Sequence, residues 1–211
     1  MDNLIYTLFV SVFVPILLMA CLIEKKARQP IIFVLIGIFT SVFAAEINGL
    51  LRELLPMSTY EIIIVVTPIT EEILKAIPIL VFATALEAKK EAVFTASMAV
   101  GIGFAVLENA FYLLNDASFN MIDAVVRAFG AGLMHGMCTL LVGVGISFVK
   151  KKSKIFSVGT FALLSTAITY HGIYNMLVQS QLDFIACLLP ISTYIPFVVW
   201  RSKKKKQANL K

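Results

Sequence analysis

Charge is scarce in this chain. Of its 211 residues, 15% are Asp, Glu, Lys or Arg, against 59% hydrophobic, which excludes an ordinary soluble domain. Cysteine is scarce too. Cys21, Cys138 and Cys187 stand at unrelated spacings, which excludes a zinc ribbon or a disulfide framework and leaves them as small packing residues. There are 2 histidines and no His-Glu-x-x-His, so the helix-borne zinc-hydrolase signature is missing. Ser97, Ser147 and Ser165 have no histidine near them in sequence, which leaves no evident serine nucleophile. The opening Met1-Asp2-Asn3 lacks a positive n-region, so the first apolar run does not read as an ordinary signal peptide, and Leu18-Met19-Ala20-Cys21 is a poor lipoprotein cleavage site. No internal repeat is evident, and the only low-complexity stretch is the lysine tail.

Long apolar runs are abundant. Seven of them, near 4–23, 30–51, 60–86, 91–114, 122–149, 155–179 and 182–200, approach or exceed the roughly 20 residues that cross a bilayer as a helix. The connections are short, so residues 1–211 read as one all-α transmembrane domain with no soluble part. Fifteen of the 18 basic residues fall in four segments: Lys25–Arg28, Lys89–Lys90, Lys150–Lys154 and Arg201–Lys211. Basic residues collect in cytoplasmic loops. The N-terminus is therefore expected outside and the C-terminus in the cytoplasm, which needs an odd number of spans, and seven fits. The net charge of +5 then reflects topology in a multi-pass cell-membrane protein among lipids. The lysine run at 203–206 is no argument for a nucleic-acid partner.

Against this background the intramembrane polar residues stand out, because ionised groups at membrane depth are costly. Glu71 and Glu72 lie side by side in the third run with Lys75 one turn on, and Pro68 and Pro78 flank them. Each proline frees a carbonyl one turn earlier and is expected to kink the helix, with Thr67 and Thr70 close enough to help satisfy the freed groups. Glu46 and Asn48 come from the second run, Glu108 and Asn109 from the fourth, Arg127 and His135 from the fifth, His171 and Asn175 from the sixth. Counted from the outer helix ends, Glu46 lies about 8 Å deep, Glu108 and His171 about 10 Å, Glu72 about 18 Å and His135 about 20 Å. One shared layer, open to the outside, is predicted. Gly132-x-x-x-Gly136 is a small-xxx-small pattern that predicts close helix packing.

Spacing sharpens the site. Lys75 is i+4 from Glu71 and i+3 from Glu72, so it can neutralise one of them. Arg127 and His135 drift only about 80° over two turns, so they can share a face. A carboxylate in a low dielectric can act as a general base, and a histidine beside it can share the water that attacks an amide. A second histidine and an asparagine can donate to a developing oxyanion. The same residue types could instead hold zinc, with Glu72, Glu108, His135 and His171 as ligands. Residue types alone leave both mechanisms open.

Four segments resemble the motifs of the PrsW family of intramembrane proteases. Thr70-Glu71-Glu72-Ile73-Leu74-Lys75 is similar to its E-E-x-x-K motif, and Gly103-Phe104-Ala105-Val106-Leu107-Glu108-Asn109 to its G-F-A-x-x-E-N motif. Arg127 with His135 resembles the third, and His171-Gly172-Ile173-Tyr174-Asn175 the fourth. The family commonly carries an acidic residue at the Asn175 position, where this chain departs. The wider CAAX-processing and bacteriocin-protection proteases look distantly similar, with E-E-x-x-x-R, F-x-x-x-H and H-x-x-x-N motifs. Here the basic residue comes one position earlier and Glu108 replaces the histidine.

The resemblance implies an endopeptidase that cuts a single-span, membrane-anchored protein, such as an anti-sigma factor, on the outer side. In that reading Glu71 or Glu72 is the base, and His135 and His171 position water. Lys75, Glu108, Asn109, Arg127 and Asn175 support them, and no cofactor is required. A proton-coupled transporter using the Glu/His/Lys cluster as a relay is the alternative, although only one run is visibly broken and no inverted repeat shows. A catalytically silent membrane scaffold is a third reading.

Overall fold

The computed structural model describes residues 2–22, 24–115, 121–148 and 153–208. Lys150, Lys151, Lys152 and Lys211 of the charge map lie outside them. Among the described residues there are seven helical rods and no strand. They are α1 (Asp2–Leu22), α2 (Lys25–Leu54), α3 (59–85), α4 (Lys90–Asn115), α5 (Met121–Ile146), α6 (Ser153–Gln179) and α7 (Asp183–Ala208). The last rod runs into the lysine tail, expected to lie beyond the span, because Lys, Gln and Ala are good helix formers. By length and apolar composition 27–54, 90–115 and 124–146 can each cross a bilayer, and 6–22 and 183–196 are shorter apolar helices. Part of what sets α3 apart is its burden of Glu71, Glu72 and Lys75.

The third rod is not uniform. Ser58 and Glu61 start it with a capping box, the Ser58 hydroxyl taking the Glu61 amide at 3.2 Å while the Glu61 carboxylate takes the Ser58 amide at 2.8 Å. One π turn follows over Ile62–Val66, then an α-helix over Thr67–Ala85. The irregularity therefore sits just before Pro68, in the first turn of that helix, while Pro78 lies inside an uninterrupted helix. π turns of this kind recur at functional sites.

The bundle closes through small residues, only partly at the pattern that predicted it. Gly132 has open space where a side chain would go, and Gly136 makes only ordinary contact with Met98 and Ile102 side chains. Gly136 nevertheless sits at a close approach, because a β-carbon on Gly101 of α4 would come within 2.8 Å of its α-carbon. Gly37 of α2 lies on the Val100 carbonyl of α4, and Gly103 of α4 lies on the Val34 backbone of α2. A methyl group at either would meet main chain, so this crossing admits only glycine on both sides. α5 lies against α3, α4, α6 and α7. Its Ala131, Met134, Cys138, Val142 and Ile146 form the spine of the apolar core with Ile79, Val93, Val100 and Ala167. α1 packs on the outside, where Leu8, Phe9, Val12, Phe13 and Ile16 cover Ile38, Val42 and Leu107. Of the cysteines, Cys138 is buried and its thiol donates to the Ala167 carbonyl at 3.5 Å. Cys21 is exposed, so its expected packing role does not hold.

Candidate active site

One turn of α3 carries Glu71, Glu72 and Lys75, all buried. Either carboxylate could have paired with the lysine by spacing. The Lys75 ammonium lies 2.6 Å from Glu72 Oε1, and both side chains are 0% exposed. Its second partner is His135 Nδ1 at 2.9 Å, and its charge sits 4.4 Å from the Phe104 ring centre. An ammonium only donates. His135 Nδ1 is therefore the accepting nitrogen, and its Nε2–H donates to Glu108 Oε2 at 2.6 Å. The tautomer of His135 is fixed from both sides.

His171 is oriented in a similar way. Its Nδ1 lies 2.9 Å from Glu72 Oε1. A carboxylate accepts, so Nδ1 carries the proton and Nε2 presents a lone pair. That Nε2 lies 3.9 Å from Glu71 Oε2, a buried oxygen with no hydrogen-bond partner among the described residues. Two acceptors thus face each other with no donor between them. With Glu71 ionised, a water offering its two protons or a cation satisfies both. The two imidazoles stand edge to face with ring centres 4.9 Å apart. Glu71, His135 and His171 each bring one donor atom to a point where all three lie within 4.8 Å of one another.

A second charged cluster supports the first. Glu108 receives His135 through one oxygen and lies 3.6 Å from the Arg127 guanidinium through the other. Arg127 is stacked on Tyr112, 3.7 Å above the ring centre. Arg127 and His135, predicted to share a face, meet through this one carboxylate. Gly101 permits the approach, since its α-carbon lies against the His135 carbonyl where any side chain would collide.

The remaining predicted residues are spread around this centre. Asn48 donates to Glu71 Oε1 at 3.4 Å, which leaves Glu71 Oε2 as the open oxygen. Glu46 accepts from Tyr6 at 2.7 Å on the exposed side of α2, away from the histidine cluster. Asn109 follows Glu108, half-buried, with its amide oxygen unpartnered among the described residues. Asn175 donates to the Ile63 carbonyl at 3.0 Å rather than toward the histidines. Thr70 donates to the Val66 carbonyl of its own helix at 3.1 Å. Ser97 and Ser147 likewise donate to carbonyls of their own helices. Sequence reasoning passed over Phe104 and Tyr112 as cation partners. An aromatic one turn before and one turn after Glu108 was the available signal.

Residue types left a metal open, with Glu72, Glu108, His135 and His171 as its ligands if one is bound. The atoms that converge are those of Glu71, His135 and His171, because Glu72 is held by Lys75 and Glu108 by His135 and Arg127. One carboxylate oxygen and two ring nitrogens at this separation fit a catalytic zinc shell in number and kind. Glu71 Oε2 and His171 Nε2 are open to it. His135 would first have to release Lys75 or Glu108.

Buried carboxylates, imidazoles and a lysine gathered inside a bundle of apolar helices define a helical membrane protein with a polar reaction centre. The chain belongs to a family described as PrsW family intramembrane metalloprotease, which it matches over residues 25–201. It is accordingly a multi-pass membrane protein and an intramembrane protease, whose family stretch begins with α2 and leaves α1 ahead of it. Neither the curated proteins nor the solved structures compared with it gave a match.

Proposed function

We propose that this protein hydrolyses a peptide bond in a single-span, membrane-anchored substrate, on the outer side of the bilayer, with a water bound between Glu71 and His171. The single observation behind this is the pair of facing acceptors, Glu71 Oε2 and His171 Nε2, 3.9 Å apart. A water there donates to both, and Glu71 is placed to take its proton as the oxygen attacks the scissile carbonyl, then to return that proton to the departing amine as the C–N bond breaks. Glu72 is less suited to that role. Its charge is compensated by Lys75 at 2.6 Å, and its Oε1 holds the His171 ring. Orienting a histidine through the far ring nitrogen is a familiar task for such a carboxylate. His135, fixed between Lys75 and Glu108, closes the other wall of the site. An anti-sigma factor is one substrate that meets the description.

A second reading is favoured by the convergence of Glu71, His135 and His171 and by the family's description. In it these three side chains hold zinc, which when bound would polarise the scissile carbonyl and acidify water. Glu72 and Glu108 would then orient the two ligating rings.

One reconstitution decides between them. Wild type, Glu71→Gln, Glu72→Gln and His171→Ala are placed in liposomes with a single-span reporter, and cleavage and bound metal are measured together. The proposal expects Glu71→Gln and His171→Ala to abolish cleavage. It also expects metal-stripped wild type to keep its rate. Stoichiometric zinc, lost with either variant and needed for cleavage, selects the second reading. Wild-type cleavage by Glu71→Gln overturns both, and ion flux without proteolysis would reinstate the transporter.

A further inference from the structure

The break in α3 has a partner on α6. In the π turn over Ile62–Val66 the Thr67 amide closes on the Ile62 carbonyl, five residues back. The next bond in that register would run from residue 68 to the Ile63 carbonyl. Residue 68 is proline and has no N–H. The Ile63 carbonyl is instead met from outside by the Asn175 side-chain amide at 3.0 Å. An unmet carbonyl in a lipid-surrounded bundle is costly. One turn before Asn175 on the same face, Gly172 lies against the neighbouring Ile64 carbonyl, and a β-carbon there would come within 2.8 Å of that oxygen. The residue before Gly172 is His171, which holds Glu72 at 2.9 Å.

We infer that Asn175 is a positioning residue that clamps α6 onto the proline break of α3, so that His171 meets the glutamate pair in register. It acts through the Ile63 carbonyl and not on the scissile bond. Proline creates the unmet carbonyl, glycine lets the two backbones approach, and the asparagine amide closes the gap. Three consecutive contacts on one face of α6 thus set the distance between His171 Nε2 and Glu71 Oε2. The kinetic part of this inference rests on the hydrolytic reading above, whereas the hydrogen bond itself does not.

The test is a double-variant cycle on the full chain, Asn175→Ala against Pro68→Ala, read both as unfolding free energy in micelles and as kcat and KM for reporter cleavage. Pro68→Ala supplies an N–H within α3 for the freed carbonyl. In the wild-type background Asn175→Ala should lower kcat about tenfold, the worth of one buried hydrogen bond, with KM little changed. In the Pro68→Ala background the same substitution should lower it less than about threefold, and the loss of stability should shrink in parallel. Equal losses in both backgrounds on both readouts overturn the inference. So does a rise in KM at constant kcat, which would place the amide on the substrate. If Pro68→Ala is itself inactive, the unfolding cycle still decides. If the protein cleaves nothing, the proposed function fails while the unfolding cycle still reads the clamp.

Discussion

Replacing Lys75 with methionine removes the cation paired with Glu72 among the described residues. The pair is 2.6 Å apart with both side chains 0% exposed, so solvent does not screen it. Removing one partner of such a pair leaves an uncompensated buried charge, a loss of about 3–5 kcal/mol. The Lys75 ammonium also holds His135 Nδ1 and rests on the Phe104 ring, so the upper part of that range is expected. Glu72→Gln added to Lys75→Met removes the stranded charge while the amide oxygen still accepts from His171. The double variant should therefore be more stable than Lys75→Met alone, with a coupling of about 2 kcal/mol or more between the sites. The assay is unfolding of wild type, both single variants and the double variant in mixed micelles, monitored by helix content. Losses that add to within about 0.5 kcal/mol would refute the reasoning, because they would mean that the pair does not act as a unit.

Three further outcomes follow from the geometry. Glu108→Gln keeps an acceptor for His135 but frees Arg127, and kcat should fall about 10- to 100-fold, as for other carboxylates that orient a working histidine, measured on the same reporter. Tyr112→Leu removes the ring beneath Arg127 at 3.7 Å and should cost about 1 kcal/mol in unfolding free energy, with Arg127→Ala in the Tyr112→Leu background adding less than it does alone. Gly103→Ala puts a methyl group into the Val34 backbone and should destabilise by about 1–3 kcal/mol. Gly132→Ala meets nothing within 4 Å and should be neutral or mildly stabilising by helix propensity, by about 1 kcal/mol at most. Thermal denaturation of the two glycine variants side by side checks the contrast.

Much of the architecture was legible because lipid imposes one-dimensional constraints. A helix must satisfy its own backbone in hydrocarbon, so the seven apolar runs fall within a few residues of the seven rods, apart from the lysine tail. Proline chemistry pointed to a break in α3 but not to its form. Both Pro68 and Pro78 were expected to kink the helix, yet the π turn lies only before Pro68. The neighbours Thr67 and Thr70 were the predicted relief for the freed carbonyl, and the donor came from Asn175, 112 positions away. Small-residue packing was legible in kind and only partly in position. Gly136 lies at the close approach to Gly101, whereas Gly132 faces open space and Gly37 and Gly103 make a further crossing. Spacing along one helix says which residues share a face and not which neighbour that face meets.

The site divides the same way. Residue types and their order already grouped Glu71, Glu72, Glu108, His135 and His171, because ionisable groups in apolar helices are costly unless they meet one another, and the four motifs resemble those of one protease family. Residue order also put Lys75 within reach of both glutamates, since i+3 and i+4 are both neighbours on a helix. The choice between them came from how the helices pack. The crossing of α3 with α5 and α6 directs the ammonium to Glu72 and His135, and turns Glu71 Oε2 toward the lone pair of His171. Hydrogen-bond donors and acceptors have directions that residue order does not carry. Those directions leave Glu71 as the carboxylate with its oxygen facing the histidine, and Glu72 as the one that holds the ring in place.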